Sequence, residues 1–254
     1  MEHVQADEIR AQTQAGVVWV AMALMVSTRL WLGAVVSPKR DQILIARMVA
    51  LVAACAAFGP LLFVSDGLAH YVKAVQRAFR TAQGGTGGRP RLVAWPELVL
   101  AQVVKHHAGR AVVGTQHRLI QGSVRLFLTL LWSTPGCQVL NTAFIERLNG
   151  TFRSRWAVLG RRTRGPTRRL RTVEQGVYLV GTLYNFCYPH QSLQTRAGTA
   201  CTPAMAAGIT DHVWTVEELL RHHVPPPPWL PPRRRGRRSR ALQALIDRWC
   251  HTTI

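Results

Sequence analysis

The spacing of hydrophobic and polar positions changes several times along the chain. His3–Ala11 (HVQADEIRA) alternates loosely, as a half-buried strand does. Val17–Met25 and Arg29–Val36 follow as apolar runs rich in β-branched and aromatic residues, parted by a Ser-Thr turn, so a three-stranded meander is predicted. Pro38–Ala57 is Ala-rich with helical spacing, and Gly59-Pro60 ends it. Leu61–Val64 is wholly apolar, the mark of a central strand covered on both faces, and it delivers Ser65-Asp66-Gly67 at its C-terminal end. Tyr71–Arg80 is amphipathic and basic, a second helix. The predicted order is β-β-β-α-β-α, an α/β fold with a mixed sheet flanked by helices.

Beyond this point the pattern is less regular. Thr81–Arg91 (TAQGGTGGRPR) is Gly-rich but lacks the Lys-Ser/Thr ending of a phosphate-cradling loop, and reads as linker. Leu92–Arg110 and Val112–Trp132 are mixed and fit neither strand nor helix cleanly. Pro135-Gly136 breaks the chain, and Asn141 or Thr142 is a good N-cap for a helix running to about Leu159. A basic stretch, Arg161–Arg171, precedes another helix, Val173–Phe186. Thr215-Val-Glu-Glu-Leu-Leu has the acids of a capped first turn. Pro225–Pro232 is a polyproline segment and Arg233–Arg240 a solvated cationic run. This divides the chain into a core over 1–160, a basic helical part over 161–222 and a Pro/Arg-rich tail over 223–254.

Charge narrows the function. Lys and Arg number 32 against 12 acids, a net charge of +20. Such an excess implies a polyanionic partner, and its arginine bias, with guanidinium groups that fork onto phosphates, favours nucleic acid over an acidic membrane face. Met48–Val64 is seventeen residues without a charge, but it is broken by Gly59-Pro60 and falls short of the roughly 20 residues a spanning helix needs. Buried core elements explain it, so no membrane association is expected. Five scattered cysteines without a Cys-x-x-Cys pair fit a reducing cytoplasm.

Acids are scarce enough to be weighed singly. Most, Glu8 among them, sit where a solvated face, a helix cap or an ion pair accounts for them. Asp7 lies inside the first predicted strand and Asp66 closes the most apolar one, where a carboxylate costs several kcal/mol unless cations or hydrogen bonds offset it. If those strands are neighbours, both acids meet at one edge of the sheet. Glu146 shares a helix face with Asn149, Gly150 and Arg153, a small and polar stripe suited to metal and phosphate. Three carboxylates from separate elements are what two oxygen-seeking Mg²⁺ or Mn²⁺ ions require. Their spacing of 59 and 80 residues proves nothing alone. The plain alternative has Asp66 capping a helix and Glu146 paired with Arg147 or Arg153.

Several passages also carry a resemblance: QADEI around Asp7, LLFVSDGLAHY around Asp66, NTAFIERLNGTFRSR around Glu146, and YNFCYPHQSL followed by TPAMAAG. In combination they resemble the DDE-type transposases of bacterial insertion sequences, which share the RNase H-like integrase fold. The resemblance implies that Asp7, Asp66 and Glu146 are catalytic ligands of two Mg²⁺ or Mn²⁺ ions. It implies that Arg147, Asn149 and Arg153 contact DNA or orient Glu146, and that Tyr184, Asn185 and His190 form a support near the active site. Read by chemistry alone, His190 serves equally well as a turn residue beside Pro189. Tyr184 serves as part of an apolar helix face. Arg155, Arg161, Arg162, Arg164, Arg168, Arg169 and Arg171 complete a basic belt along the DNA backbone.

The expected reaction is strand cleavage and transfer on double-stranded DNA, both the ends of a mobile element and its target. It implies a homo-oligomer on DNA and residence on the bacterial nucleoid in the cytoplasm. Two departures from the family pattern stand out. The first strand begins almost at residue 1, so a separate N-terminal DNA-recognition polypeptide is expected. The distance from Asp66 to Glu146 implies an insertion over about 81–135. The alternative function is an inactive or truncated DNA-binding remnant that regulates the same element.

Overall fold

Leu61–Asp66 (β4) is the strand around which the rest is built. The structure, a computed structural model, describes residues 2–83, 90–109, 111–160, 167–194, 198–225 and 239–249. β4 lies between β1 (His3–Thr13) and β7 (Leu98–Ala108), parallel to both. β2 (Gly16–Met25) and β3 (Trp31–Ser37) continue antiparallel beyond β1, and β8 (Ala111–Gln121) pairs antiparallel with β7. The resulting six-stranded mixed sheet has the order β3-β2-β1-β4-β7-β8. A short hairpin of β5 (Arg80–Gln83) and β6 (Arg91–Ala94) stands apart from it.

Alternation along the strands divides the core between two faces. Val4 and Ala6 of β1, with Leu61 and Phe63 of β4, pack under α1 (Gln42–Cys55) and α2 (Ala69–Ala78). On the opposite face Ile9, Val20 and Met22 pack under α4 (Ala143–Arg155) and α5 (Leu170–Phe186), while Leu62 and Val64 pack under α3 (Val124–Ser133). Burial on both sides explains why β4 is a continuous apolar run. Asp41 caps α1 by accepting from the Leu44 amide at 3.0 Å. α5 comes so close to β3 that a Cβ on Gly181 would lie 2.3 Å from the Trp31 ring. Only glycine fits there.

α6 (Pro203–Ala206) completes the first compact unit, residues 1–216. A second unit, 217–254, begins within α7 (Val216–Arg221) and contains α8 (Arg240–Trp249). Most of Pro225–Pro232 and Arg233–Arg240 lies outside the described residues.

The predicted β-β-β-α-β-α order is present, with ends shifted by a few residues. Three stretches differ from expectation. The Gly-rich Thr81–Arg91 is not plain linker, because its ends pair as β5 and β6. Residues 81–135, read as an insertion, supply β7 and β8 of the main sheet, and α3. The helix predicted to reach Leu159 ends at Arg155, and a separate 3₁₀ turn spans Ala157–Leu159. The apolar run Met48–Val64 is divided between α1 and β4, and among the described residues no helix is long and apolar enough to cross a membrane.

Candidate active site

β1 and β4 pair in register as far as Ala6 and Ser65. Asp7 and Asp66 are the next residues on each strand, so parallel pairing sets the two acids side by side where β4 ends. Asp66 closes its own turn by accepting from the Leu68 amide at 3.0 Å, and Gln102 of β7 donates to the Asp66 carbonyl at 2.9 Å. Asp7 accepts from its neighbour's backbone, Glu8 N at 2.8 Å, and from Asn149 Nδ2 of α4 at 2.8 Å. α4 is fixed over β1 from its first turn as well: Gln5 donates to the Asn141 carbonyl at 2.7 Å and accepts from the Ile145 amide at 3.1 Å. Glu146 is thereby brought to the cleft.

Asp7, Asp66, Glu146, Asn149 and Arg153 line one cleft of about 720 Å³, together with Arg40, Lys105 and Thr142. The expected polar stripe of α4 therefore does face the two strand acids. Glu146 pairs with Lys105 of β7, not with Arg147 or Arg153, and accepts from Thr142 Oγ1 at 2.5 Å. Thr142, the helix N-cap by position, spends its hydroxyl on Glu146 and makes no cap bond.

Of the settings expected for Glu8, the ion pair is the one present, with Arg40, and not a solvated face. Its side chain is fully enclosed, and one oxygen from each of Asp7, Glu8 and Asp66 lies within 4.8 Å of the other two. Alternation sends Glu8 to the α2 side of β1, where Tyr71 donates to Oε1 at 2.5 Å and Arg40 to Oε2 at 2.6 Å. Arg40 also reaches Asp66 at 3.2 Å and stacks over Trp19. β4 ends one residue past its last pair with β1, and there carboxylates from opposite sides of β1 approach each other.

The electrostatics record this crowding. Asp7 is pushed up to about 7 by burial, opposed by the Glu8 amide and reinforced by the charges of Glu8, Asp66 and Glu146. Glu8 is raised by burial against the bonds from Tyr71 and Arg40. Burial also raises Glu146, but hydrogen bonds from Lys105 and Thr142 outweigh it and leave this carboxyl below its ordinary value. Arg40 and Lys105 thus supply part of the positive charge that four acids require.

No protein-family model matches the chain, and no curated protein matches it either. The geometry stands on its own.

The remaining expected residues scatter. Asn149 lines the cleft but is buried, and its amide donates to Asp7, not to Glu146. Arg147 lies on another side of α4, in a second recess with Tyr184 and His190. Tyr184 and Asn185 are not a support of the acidic cleft: Tyr184 donates to the Arg29 carbonyl at 3.1 Å, and Asn185 brackets Trp31 with bonds of 3.0 and 2.9 Å. They clamp the β2–β3 turn. Arg155 covers the Tyr188 ring at 3.7 Å. Arg168 donates to Gln14 at 2.9 Å, and Arg169 and Arg171 are exposed at the start of α5. Arg161, Arg162 and Arg164 lie outside the described residues. Arg40, Lys105 and Tyr71 were missed. Each was visible only as a basic or amphipathic residue beside an apolar run.

Proposed function

We propose that the cleft is the active centre of an RNase H-like polynucleotidyl transferase, a DDE-type DNA transposase that cuts and rejoins phosphodiester bonds. One observation carries the reading. Asp7, Asp66 and Glu146, on a central strand, its neighbour and a covering helix, converge on one cleft although a folded chain gains nothing by gathering like charges. The finer fold reading is supported by the antiparallel β1–β3 meander followed by parallel β4 and β7, with helices on both faces.

The donor set fits hard divalent cations. It consists of carboxylate oxygens from several elements, two ammonium or guanidinium groups already stand among them, and Asp7 is still raised, by burial first and by the charges of Glu8, Asp66 and Glu146 after it. Asp7, Asp66 and Glu146 would hold two Mg²⁺ or Mn²⁺ ions, with Glu8 close behind Asp7 and Asp66. Such ions supply charge that activates an attacking oxygen and stabilises a leaving one. The protein's own part is positional. Asn149 aims Asp7, Gln102 fixes the Asp66 turn, and Thr142 orients Glu146. Arg153, Arg40 and Lys105 at the rim attract the backbone of double-stranded DNA.

The substrate would be element ends and target DNA, handled by a homo-oligomer on the nucleoid. Nicking of supercoiled plasmid with Mg²⁺ tests the reading in wild type, Asp66→Asn and Glu146→Gln. Loss in both variants is expected. Equal nicking by all three would leave only a DNA-binding remnant.

A further inference from the structure

α4 carries a second stripe, Arg147, Thr151 and Arg155, at the four-residue spacing that aligns side chains on one helix face. This stripe faces a recess of about 720 Å³ closed by Tyr188, His190 and Ser192. A smaller cavity of about 180 Å³ shares Arg147, Thr151, His190 and Ser192 and ends on Arg29.

Arg29 is the anomaly. It is only 8% exposed and has the one positive φ outside glycine among the described residues, 59°. Its guanidinium lies over the Phe144 ring at 4.0 Å, donates to the Val26 carbonyl and reaches Ser192 Oγ at 3.4 Å. No ion pair of Arg29, Arg147 or Arg155 with a carboxylate occurs among the described residues. A buried cation without a counter-charge is costly, and the fold holds a second guanidinium group, that of Arg147, in the same cavity. Burial, then Arg29 and Arg147, keep His190 below its ordinary value, so the ring adds no positive charge and is free to accept or donate one hydrogen bond. The recess therefore combines cations, hydroxyls and a neutral imidazole, with no acid among the described residues that line it. It also holds a flat platform, because Arg155 stacks on Tyr188 at 3.7 Å.

We propose that this recess receives one unpaired nucleotide of a DNA strand end, its phosphate facing Arg147 and Arg29 and its base on the Arg155–Tyr188 platform. A duplex buries its base faces against each other and has no use for such a platform, whereas single strands bind by pairing phosphate contacts with stacking on aromatic or arginine planes. Arg147 follows Glu146 directly on α4, so the recess and the acidic cleft lie on different sides of the same helix. The inference rests on the transferase reading only in taking DNA as the substrate.

The test uses the full chain in chelator, so that metal-dependent chemistry plays no part. A duplex with a three-nucleotide overhang carrying 2-aminopurine is titrated beside a blunt duplex bearing the same label, and fluorescence gives both affinities. The overhang is expected to bind about tenfold tighter. Tyr188→Ala and Arg155→Gln, each checked for a native melting transition, should bring it to the blunt level. Equal affinity of wild type for both duplexes, or a preference that survives in either folded variant, overturns the proposal. Overhang preference without plasmid nicking in Mg²⁺ would keep the recess and remove the transferase reading. Nicking without overhang preference would do the reverse.

Discussion

Asn149 donates from Nδ2 to Oδ2 of Asp7 at 2.8 Å, joining α4 to β1 across 142 residues of sequence. The bond is buried on the helix side, and among the described residues this partner and the neighbouring Glu8 amide are the ones that hydrogen-bond the Asp7 carboxylate. A group that orients a metal-binding acid contributes to affinity without touching the metal. Replacing Asn149 by Ala is therefore expected to lower Mn²⁺ affinity, and Mg²⁺-dependent nicking with it, by about 10–100-fold. Calorimetry and plasmid nicking on the variant check this, with circular dichroism to confirm the fold. Unchanged affinity would mean that Asp7 needs no such support.

Arg40 bridges the enclosed Glu8 and the half-exposed Asp66. Without it, two carboxylates near a third lose their nearest cation. Arg40→Ala should melt at a lower temperature than wild type in chelator, and added Mn²⁺ should raise its melting temperature more than it raises that of wild type. Thermal unfolding with and without metal reads both effects. Equal metal-induced shifts in the two proteins would show that Arg40 does not share the charge-neutralising role.

His3 gives a pH dependence whose sign is fixed by burial. It is lowered from the ordinary 6.5 to about 3 by burial first and the charge of Arg29 second, and its Nδ1 lies 3.2 Å from Thr134 Oγ1. Between those two values the unfolded chain binds a proton that the folded chain does not. Stability therefore falls as the pH drops from 6.5, by up to about 1.4 kcal/mol per pH unit. Asp7, raised instead, acts in the opposite sense across its own window, from its ordinary 3.8 to about 7, and does so in any His3 variant too. Melting curves of wild type and His3→Gln between pH 7.5 and 5 separate the terms: wild type should lose more. Parallel curves would contradict the assignment.

Much of the architecture was legible because its signals were strong. Leu61–Val64 could hardly be anything but a central strand, and once β4 sat beside β1 the pairing of Asp7 with Asp66 followed from parallel register. The polar stripe Glu146–Asn149–Arg153 was legible from helical spacing. Glu8 was not, because strand alternation assigns adjacent residues to opposite faces and hides that their carboxylates meet at the end of β4. Lys105 was hidden in a strand that is apolar on both sides at Leu98–Ala101 and exposed further on, a pattern with no single period. Tyr184 and Asn185 carried polar groups whose partners are backbone atoms of the β2–β3 turn, which no spacing rule points to.

A polynucleotidyl transferase of this kind requires that the acids act together on metal. Mn²⁺ binding followed by electron paramagnetic resonance, on wild type, Asp66→Asn and Glu146→Gln without DNA, asks this most directly. Saturable binding in wild type, weakened at least about tenfold in each variant, is the predicted result. Identical isotherms for all three proteins would contradict it.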